Sequence, residues 1–178
     1  VSCACIFFDY SIEQSRLSLF DDSKKLTIKK RCEAFHTVYQ LRNENKLQFS
    51  IGFANVVEID KFNILEAAKI SMKRAVQKLH YEKANLIIDG KIDLKLSQHK
   101  SNGIIKGDQK SYSIATASII AKMHRDRYMR YLSLQHPLYD WDKNAGYGTK
   151  KHIEQIHKNG ITDHHRKSFE PIKSLIHT

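Results

Sequence analysis

Apolar positions recur along this chain with two alternating periods, and the alternation predicts strands interleaved with helices. Residues 1–8, VSCACIFF, form a short apolar run of strand-forming side chains. Asp21, Asp22 and Ser23 follow a polar turn and offer helix-starting oxygens. Ile28, Cys32, Phe35 and Tyr39 then fall at helical spacing, so an amphipathic helix is predicted over 27–44. Leu47, Phe49, Ile51 and Phe53 alternate with polar or small residues, which predicts a strand over 47–54. Leu65, Ala68, Met72, Ala75, Val76 and Leu79 mark a long helix over 62–80.

Leu86-Ile87-Ile88-Asp89-Gly90 reads as a buried strand that ends in a carboxylate and a glycine. Residues 103–108 repeat that form, with Ile104 and Ile105 followed by Gly107 and Asp108. The longest helix is predicted from 112 to 134, with Ile114, Ala117, Ala121, Tyr128 and Leu132 along one side; His136-Pro137 ends it. A glycine-rich loop over 142–149 precedes a short helix over 151–159, and Gly160 is placed to cap that helix. No repeat or interdomain linker interrupts the pattern. The expectation is one α/β domain over 1–178, mainly helical from about 110.

Composition narrows the partner. The 178 residues are 41% apolar with two prolines and seven glycines, which excludes a long disordered region. Lysine and arginine number 30 against 19 acids, a net +11. Residues 1–60 carry eight of each sign, so the whole surplus lies in 61–178. Such a bias favours a polyanionic partner, the competing reading being the solvated surface of a basic protein. Cys3, Cys5 and Cys32 lack metal-finger spacing and are odd in number; reduced core thiols in a cytoplasmic protein are expected. No apolar run reaches the ~20 residues that span a bilayer, and no signal-peptide pattern is present.

Two acids stand out. Asp89 sits at the C-terminal end of an apolar strand, where α/β proteins bind ligands, and Asp108 follows a similar strand. Carboxylates brought together raise one another's pKa and invite a divalent cation, and oxygen-only ligands favour Mg²⁺ or Mn²⁺ over zinc. The competing reading is that each merely begins a turn. Asp126, between Arg125 and Arg127, reads as a structural ion pair rather than a ligand. Lys122, Arg125, Arg127 and Arg130 suit phosphates or a solvated helix face equally. Lys24 and Lys25, beside a helix start, are candidate phosphate contacts. The ten histidines form no HExxH pattern, and no GxSxG, P-loop or GxGxxG occurs. Tyr147, between two glycines, is either a stacking ring for a sugar or base or an anchor for its loop.

In chain order these segments resemble bacterial ribonuclease HII. Asp22-Ser23-Lys24-Lys25-Leu26 is similar to the family's DSKKL. Glu58-Ile59-Asp60, Asn63-Ile64-Leu65 and Ala67 resemble EIDxxNILxA. Ile88-Asp89-Gly90 matches the IDG strand end. Lys106-Gly107-Asp108, Ser113-Ile114-Ala115-Thr116-Ala117-Ser118-Ile119-Ile120-Ala121-Lys122 and Arg125-Asp126-Arg127 resemble KGDxxxxSIAAASIxAKxxRDR. Gly146-Tyr147-Gly148-Thr149 and His165-Arg166-Lys167-Ser168-Phe169-Glu170-Pro171 resemble GYGT and HRRSFxP. The KGD and GYGT segments favour type HII over the related type HIII.

The resemblance implies a ribonuclease H-like fold, a mixed sheet flanked by helices with a helical C-terminal part. It implies a monomeric endonuclease that degrades RNA in RNA–DNA hybrids and cuts 5′ of ribonucleotides embedded in duplex DNA. It implies four acids binding Mg²⁺ or Mn²⁺, two of which map onto Asp89 and Asp108. Tyr147 maps onto the residue that packs against the sugar at the junction; Lys24, Lys25, Lys122 and Arg125 would grip phosphates. Two departures stand out. The family's first strand ends in an Asp-Glu pair and a Gly-Arg-Gly-like turn, with no counterpart here. A central strand and two carboxylates are therefore expected to be missing, and a homologue that only binds nucleic acid is the alternative. Asn144-Ala145 also replaces the usual His-Lys, which is expected to remove a cation.

Overall fold

A computed structural model describes residues 2–7 and 11–176, and the chain forms two compact units. The first comprises residues 1–53 and 68–123; the second comprises 54–67 and 124–178. Val1 and Phe8 of the first expected strand, with Asp9, Tyr10, His177 and Thr178, lie outside the described residues.

In the first unit, β1 (Ser2–Phe7) pairs antiparallel with β2 (Leu47–Gly52), with Cys5 opposite Phe49. A short helical turn, α1 (Gln14–Leu17), leads to α2 (Ile28–Asn43), and Arg16 there forms a two-bond ion pair with Glu44 at 2.8 and 2.9 Å. The start of α2 corrects the expectation. Thr27 caps it by accepting from the Lys30 amide, so Asp21, Asp22 and Ser23 belong to the preceding turn. Its buried stripe is Ala34, Phe35, Val38 and Leu41, rotated from the predicted one: Ile28 is 76% exposed, and Cys32 is exposed rather than a core thiol. The core joins these residues to Ile12, Phe20, Leu47, Ala115, Ile119 and Ile120, with Cys5, Phe49 and Met123 packed against it. Gly52 exists for a close approach, because a Cβ there would lie 1.8 Å from the Ser71 carbonyl oxygen.

Helix α3 (Val56–Gln77) starts six residues earlier than predicted and breaks at Asn63, where φ is 70°. Two caps explain this. Asn55 and Glu58 exchange side-chain-to-backbone hydrogen bonds at 2.9 and 3.0 Å, a reciprocal box that starts the first segment. Asn63 Oδ1 then accepts from the amides of Leu65 and Glu66, starting the second.

Strand β3 (Asn85–Asp89) runs parallel to β4 (Lys100–Ile104), a strand that begins and ends earlier than predicted. The four described strands thus form two two-stranded ladders, one antiparallel and one parallel. Ile87, expected inside, is 43% exposed, because among the described strands β3 pairs only with β4. Helix α4 (Tyr112–Gln135) matches its predicted span, but its buried positions are Ile114, Ala115, Thr116, Ile119, Ile120 and Leu132, while Tyr128 is 43% exposed.

The second unit has its own core of Leu132, Tyr139, Trp141, Ile156 and Ile172, against which Met129 and Ile161 pack. Tyr139 and Trp141 stack with centroids 5.2 Å apart. A single turn, α5 (Trp141–Asn144), precedes α6 (Lys150–Asn159), which Thr149 caps and Gly160 (φ 79°) ends as predicted. The last described element is α7 (Ile172–Ile176). Among the described residues, no helix is long and apolar enough to cross a membrane.

Candidate active site

Asp89 is the last residue of β3, and β4 brings the following segment back beside it. The Gly90 amide donates to the Ile104 carbonyl at 2.9 Å, which extends the pairing past the strand end. Lys106 then adopts a left-handed conformation (φ 53°), and Gly107–Gln109 form a 3₁₀ turn. This turn, not a strand end, carries Asp108. It closes on β3 through one hydrogen bond, from the Gly107 amide to Asp89 Oδ1 at 2.9 Å. Glycine makes the approach possible: a Cβ on Gly107 would stand 2.6 Å from Ile114 Cδ1 and 3.5 Å from the Asp89 Cα. The two predicted acids are therefore neighbours, one exposed and one half-buried.

The electrostatics agree with the geometry. Burial raises the Asp108 carboxyl above its ordinary pKa, and the charges of Asp89 and then Asp22 raise it further, with Lys24 partly opposing them. Asp22 reads in the sequence only as a helix-starting oxygen, yet its charge reaches Asp108, and it heads the same DSKKL segment as Lys24. Its turn is tightly held. Asp22 Oδ1 accepts from the Lys24 amide at 3.0 Å, and the buried Ser23 hydroxyl meets that of Ser118 on α4 at 3.0 Å. Arg31 on α2 donates to the carbonyls of Ser23 and Leu26 at 3.0 and 2.8 Å. Lys24 and Lys25 are exposed, and Lys122 is half-buried on α4. Asp108 also borders an open pocket lined by Ser18, Phe20, Asp21 and Tyr112.

Among the described residues, no three His, Cys, Asp or Glu side chains gather closely enough to hold a metal by themselves. The donor set is a carboxylate pair. It suits an ion such as Mg²⁺, which keeps several waters and binds through one or two carboxylates plus substrate phosphates.

The remaining candidates lie in the second unit. Tyr147 is 68% exposed, so its ring is not packed down as a loop anchor. The Arg125 guanidinium lies 5.6 Å from its ring centroid and donates to the Ala145 carbonyl at 2.8 Å. A cation is thus present beside the ring despite the Asn144-Ala145 replacement. Asn144 itself shapes the loop: its Oδ1 accepts from the Gly146 amide and its Nδ2 donates to the Tyr139 carbonyl. Asp126 pairs with Arg125 at 3.9 Å. Asp60 and the His165–Phe169 segment are joined directly, for the Asp60 carboxylate accepts from the amides of Lys167 and Ser168 and from the Ser168 hydroxyl. Burial raises its pKa, but the Ser168 and Lys167 hydrogen bonds and the Arg166 charge prevail and hold it below the ordinary value.

A family model described as Ribonuclease HII matches residues 1–172. The ribonuclease HII of Wolbachia pipientis (Culex pipiens) is 44% identical over 176 residues, covering 98% of this chain and 84% of the relative. That of Staphylococcus epidermidis is 48% identical over 157 residues, covering 88% of this chain. The match takes in only 59% of the staphylococcal relative's length and 57% of the Macrococcus caseolyticus one. Two solved structures share the fold. Archaeoglobus fulgidus ribonuclease HII, solved in complex with PCNA, superposes with a TM-score of 0.68 at 22% identity, over 93% of this chain and 85% of that one. The Pyrococcus horikoshii ribonuclease H2 does so at 0.63 and 18% identity, over 97% and 95%. With motifs, neighbouring acids and architecture all in agreement, this chain belongs to the ribonuclease HII family.

Proposed function

We propose that the intact protein is an endoribonuclease that hydrolyses the phosphodiester 5′ of a ribonucleotide embedded in duplex DNA, and the RNA strand of RNA–DNA hybrids, leaving a 3′-OH. The observation that carries this reading is the carboxylate pair: Asp89, tied to the Gly107 amide, beside Asp108, whose proton affinity is raised by burial and then by the charges of Asp89 and Asp22. Such a pair holds a proton or a cation in place of the missing countercharge. Asp89 and Asp108 would hold Mg²⁺ or Mn²⁺. When bound, the ion supplies Lewis-acid stabilisation of the phosphoryl oxygens and makes a water acidic enough to attack at neutral pH.

The chain's own groups do the rest. The Gly107 amide takes one lobe of Asp89 Oδ1 and fixes the carboxylate's orientation, so its remaining lone pairs are presented in a set direction. Lys24 offers its charge to a phosphate beside these acids, and Lys25, Lys122 and Arg125 add backbone contacts that position the strand without reading its sequence. Tyr147 presents an exposed ring to the sugar next to the RNA–DNA junction. Cys5 and Cys32 are free thiols, which suits a monomer in the reducing cytoplasm, where the enzyme would remove ribonucleotides during DNA replication and repair.

The test is Asp89→Asn in the intact protein, assayed on duplex DNA with one embedded ribonucleotide and Mg²⁺ or Mn²⁺. Cleavage should fall by about a hundredfold or more, since a group that stabilises transition-state charge is lost. A near wild-type rate rejects the assignment.

A further inference from the structure

Beneath Tyr147 lies a cluster of buried histidines. His152 on α6 and His165 are each 4% exposed, and Trp141 is 2% exposed. The partners of His152 determine its tautomer. Trp141 Nε1–H, which can only donate, points at His152 Nε2 at 3.1 Å, so that nitrogen accepts. The proton therefore resides on Nδ1, which donates at 2.9 Å to the Tyr147 carbonyl, a group that can only accept. Two independent partners require the same neutral form. His165 completes the set: its Nδ1 accepts from the Thr162 amide at 3.0 Å, so its Nε2–H faces His152 Nε2 at 3.3 Å.

Tyr147 depends on this support. Gly146 and Gly148 flank it and give the loop on either side little intrinsic preference; Gly146 has φ 78°. Its exposed ring meets the Arg125 guanidinium, 5.6 Å from its centroid. Its backbone is held by its own amide donating to the Asn144 carbonyl and by its carbonyl accepting from the Thr149 amide and His152. Of these, the His152 bond ties Tyr147 itself to the core, while Arg125 and Asn144 hold the residues before it through the Ala145 and Tyr139 carbonyls.

We propose that His152 is a positioning residue for Tyr147, fixing the ring-bearing loop through a single imidazole tautomer that Trp141 and His165 enforce. The proposal rests on the reading of Tyr147 as a substrate contact. Its direct consequence is specific: a donor is needed where Nδ1 stands, and an acceptor suffices where Nε2 stands.

Two measurements on the intact protein test it. The first is steady-state cleavage of a duplex with one ribonucleotide by His152→Asn, which can retain a donor near Nδ1, and by His152→Gln, which moves the amide toward Nε2. His152→Gln should raise KM about fivefold with a smaller change in kcat, as expected for losing one net hydrogen bond of about 1 kcal/mol. His152→Asn should restore KM to within about twofold of wild type. In a Tyr147→Ala background, the difference between the two variants should vanish. A difference that persists there, or equal KM values for both folded variants, overturns the proposal. The second is an imidazole ¹H–¹⁵N correlation spectrum of the unaltered protein, independent of catalysis and of variant folding. It should show His152 as the Nδ1–H and His165 as the Nε2–H tautomer; an Nε2–H His152 overturns the proposal. If these tautomers are found but the intact protein cuts no ribonucleotide, the proposed function fails and the loop support stands.

Discussion

Replacing Gly107 by alanine tests how closely the two acids are built together. The new Cβ would stand 2.6 Å from Ile114 Cδ1, a separation that real contacts do not show, and 3.4 Å from Ile114 Cγ2. Ile114 is 6% exposed, so its terminal methyl has little room to retreat. Overpacking of this kind costs about 1–3 kcal/mol, or roughly 2–9 °C in melting temperature for a chain of this size. Ile114→Val removes the clashing Cδ1 atom and costs about 0.5–1.5 kcal/mol by itself. In the double variant the clash is gone. Its destabilisation should therefore fall short of the sum of the single ones by about 1 kcal/mol or more, a coupling expected of touching residues. Urea denaturation of the four proteins measures this cycle. Cleavage should follow it, because Gly107→Ala moves the amide that holds Asp89 and the double variant returns it. Additivity within about 0.5 kcal/mol would refute the close approach of the 3₁₀ turn to α4 and with it the basis for pairing the acids.

Two further predictions concern protons. Because Asp108 has a raised folded-state pKa, its ionisation opposes folding as pH climbs from its unfolded value through the raised one. Asp108→Asn should thus be more stable than wild type at pH 7, with the gap closing below about pH 4, while cleavage is lost. Mg²⁺ or Mn²⁺ should raise the melting temperature of wild type and not of this variant; an equal rise in both would place the ion elsewhere. In the second unit, burial and then the neighbouring His152, His136 and His164 lower His165 to about 4. A depressed histidine contributes stability that is complete above about pH 6.5 and lost as pH falls toward 4, up to about 3 kcal/mol. Denaturation curves between pH 4 and 8 should show this slope, and its survival in a His165→Gln variant would exclude His165 as the source.

Local chemistry was legible in the sequence wherever it depended on near neighbours. The long helix through Tyr112–Gln135 and the cap at Gly160 require only residues a few positions apart, and the structure has them where the pattern places them. Asp89 and Asp108 stood out in the sequence as candidates, each an acid after an apolar strand. Their proximity was not legible there. It comes from the parallel pairing of β3 with β4, the left-handed Lys106 and a glycine that admits a backbone contact, none of which leaves a periodic signal.

What only the tertiary structure decided is which apolar stripe goes inside and which distant groups meet. Helix α2 carries two adjacent stripes, and periodicity alone favoured Ile28 and Cys32; the core took Ala34, Val38 and Leu41. A period of 3.6 residues reports that a face is apolar, while its partner element selects the face. Asp22 joins the acids, and His152 meets both Trp141 and Tyr147, for the same reason. Long-range electrostatics and tautomer-selecting hydrogen bonds depend on distances through space, and distance along the chain does not encode them.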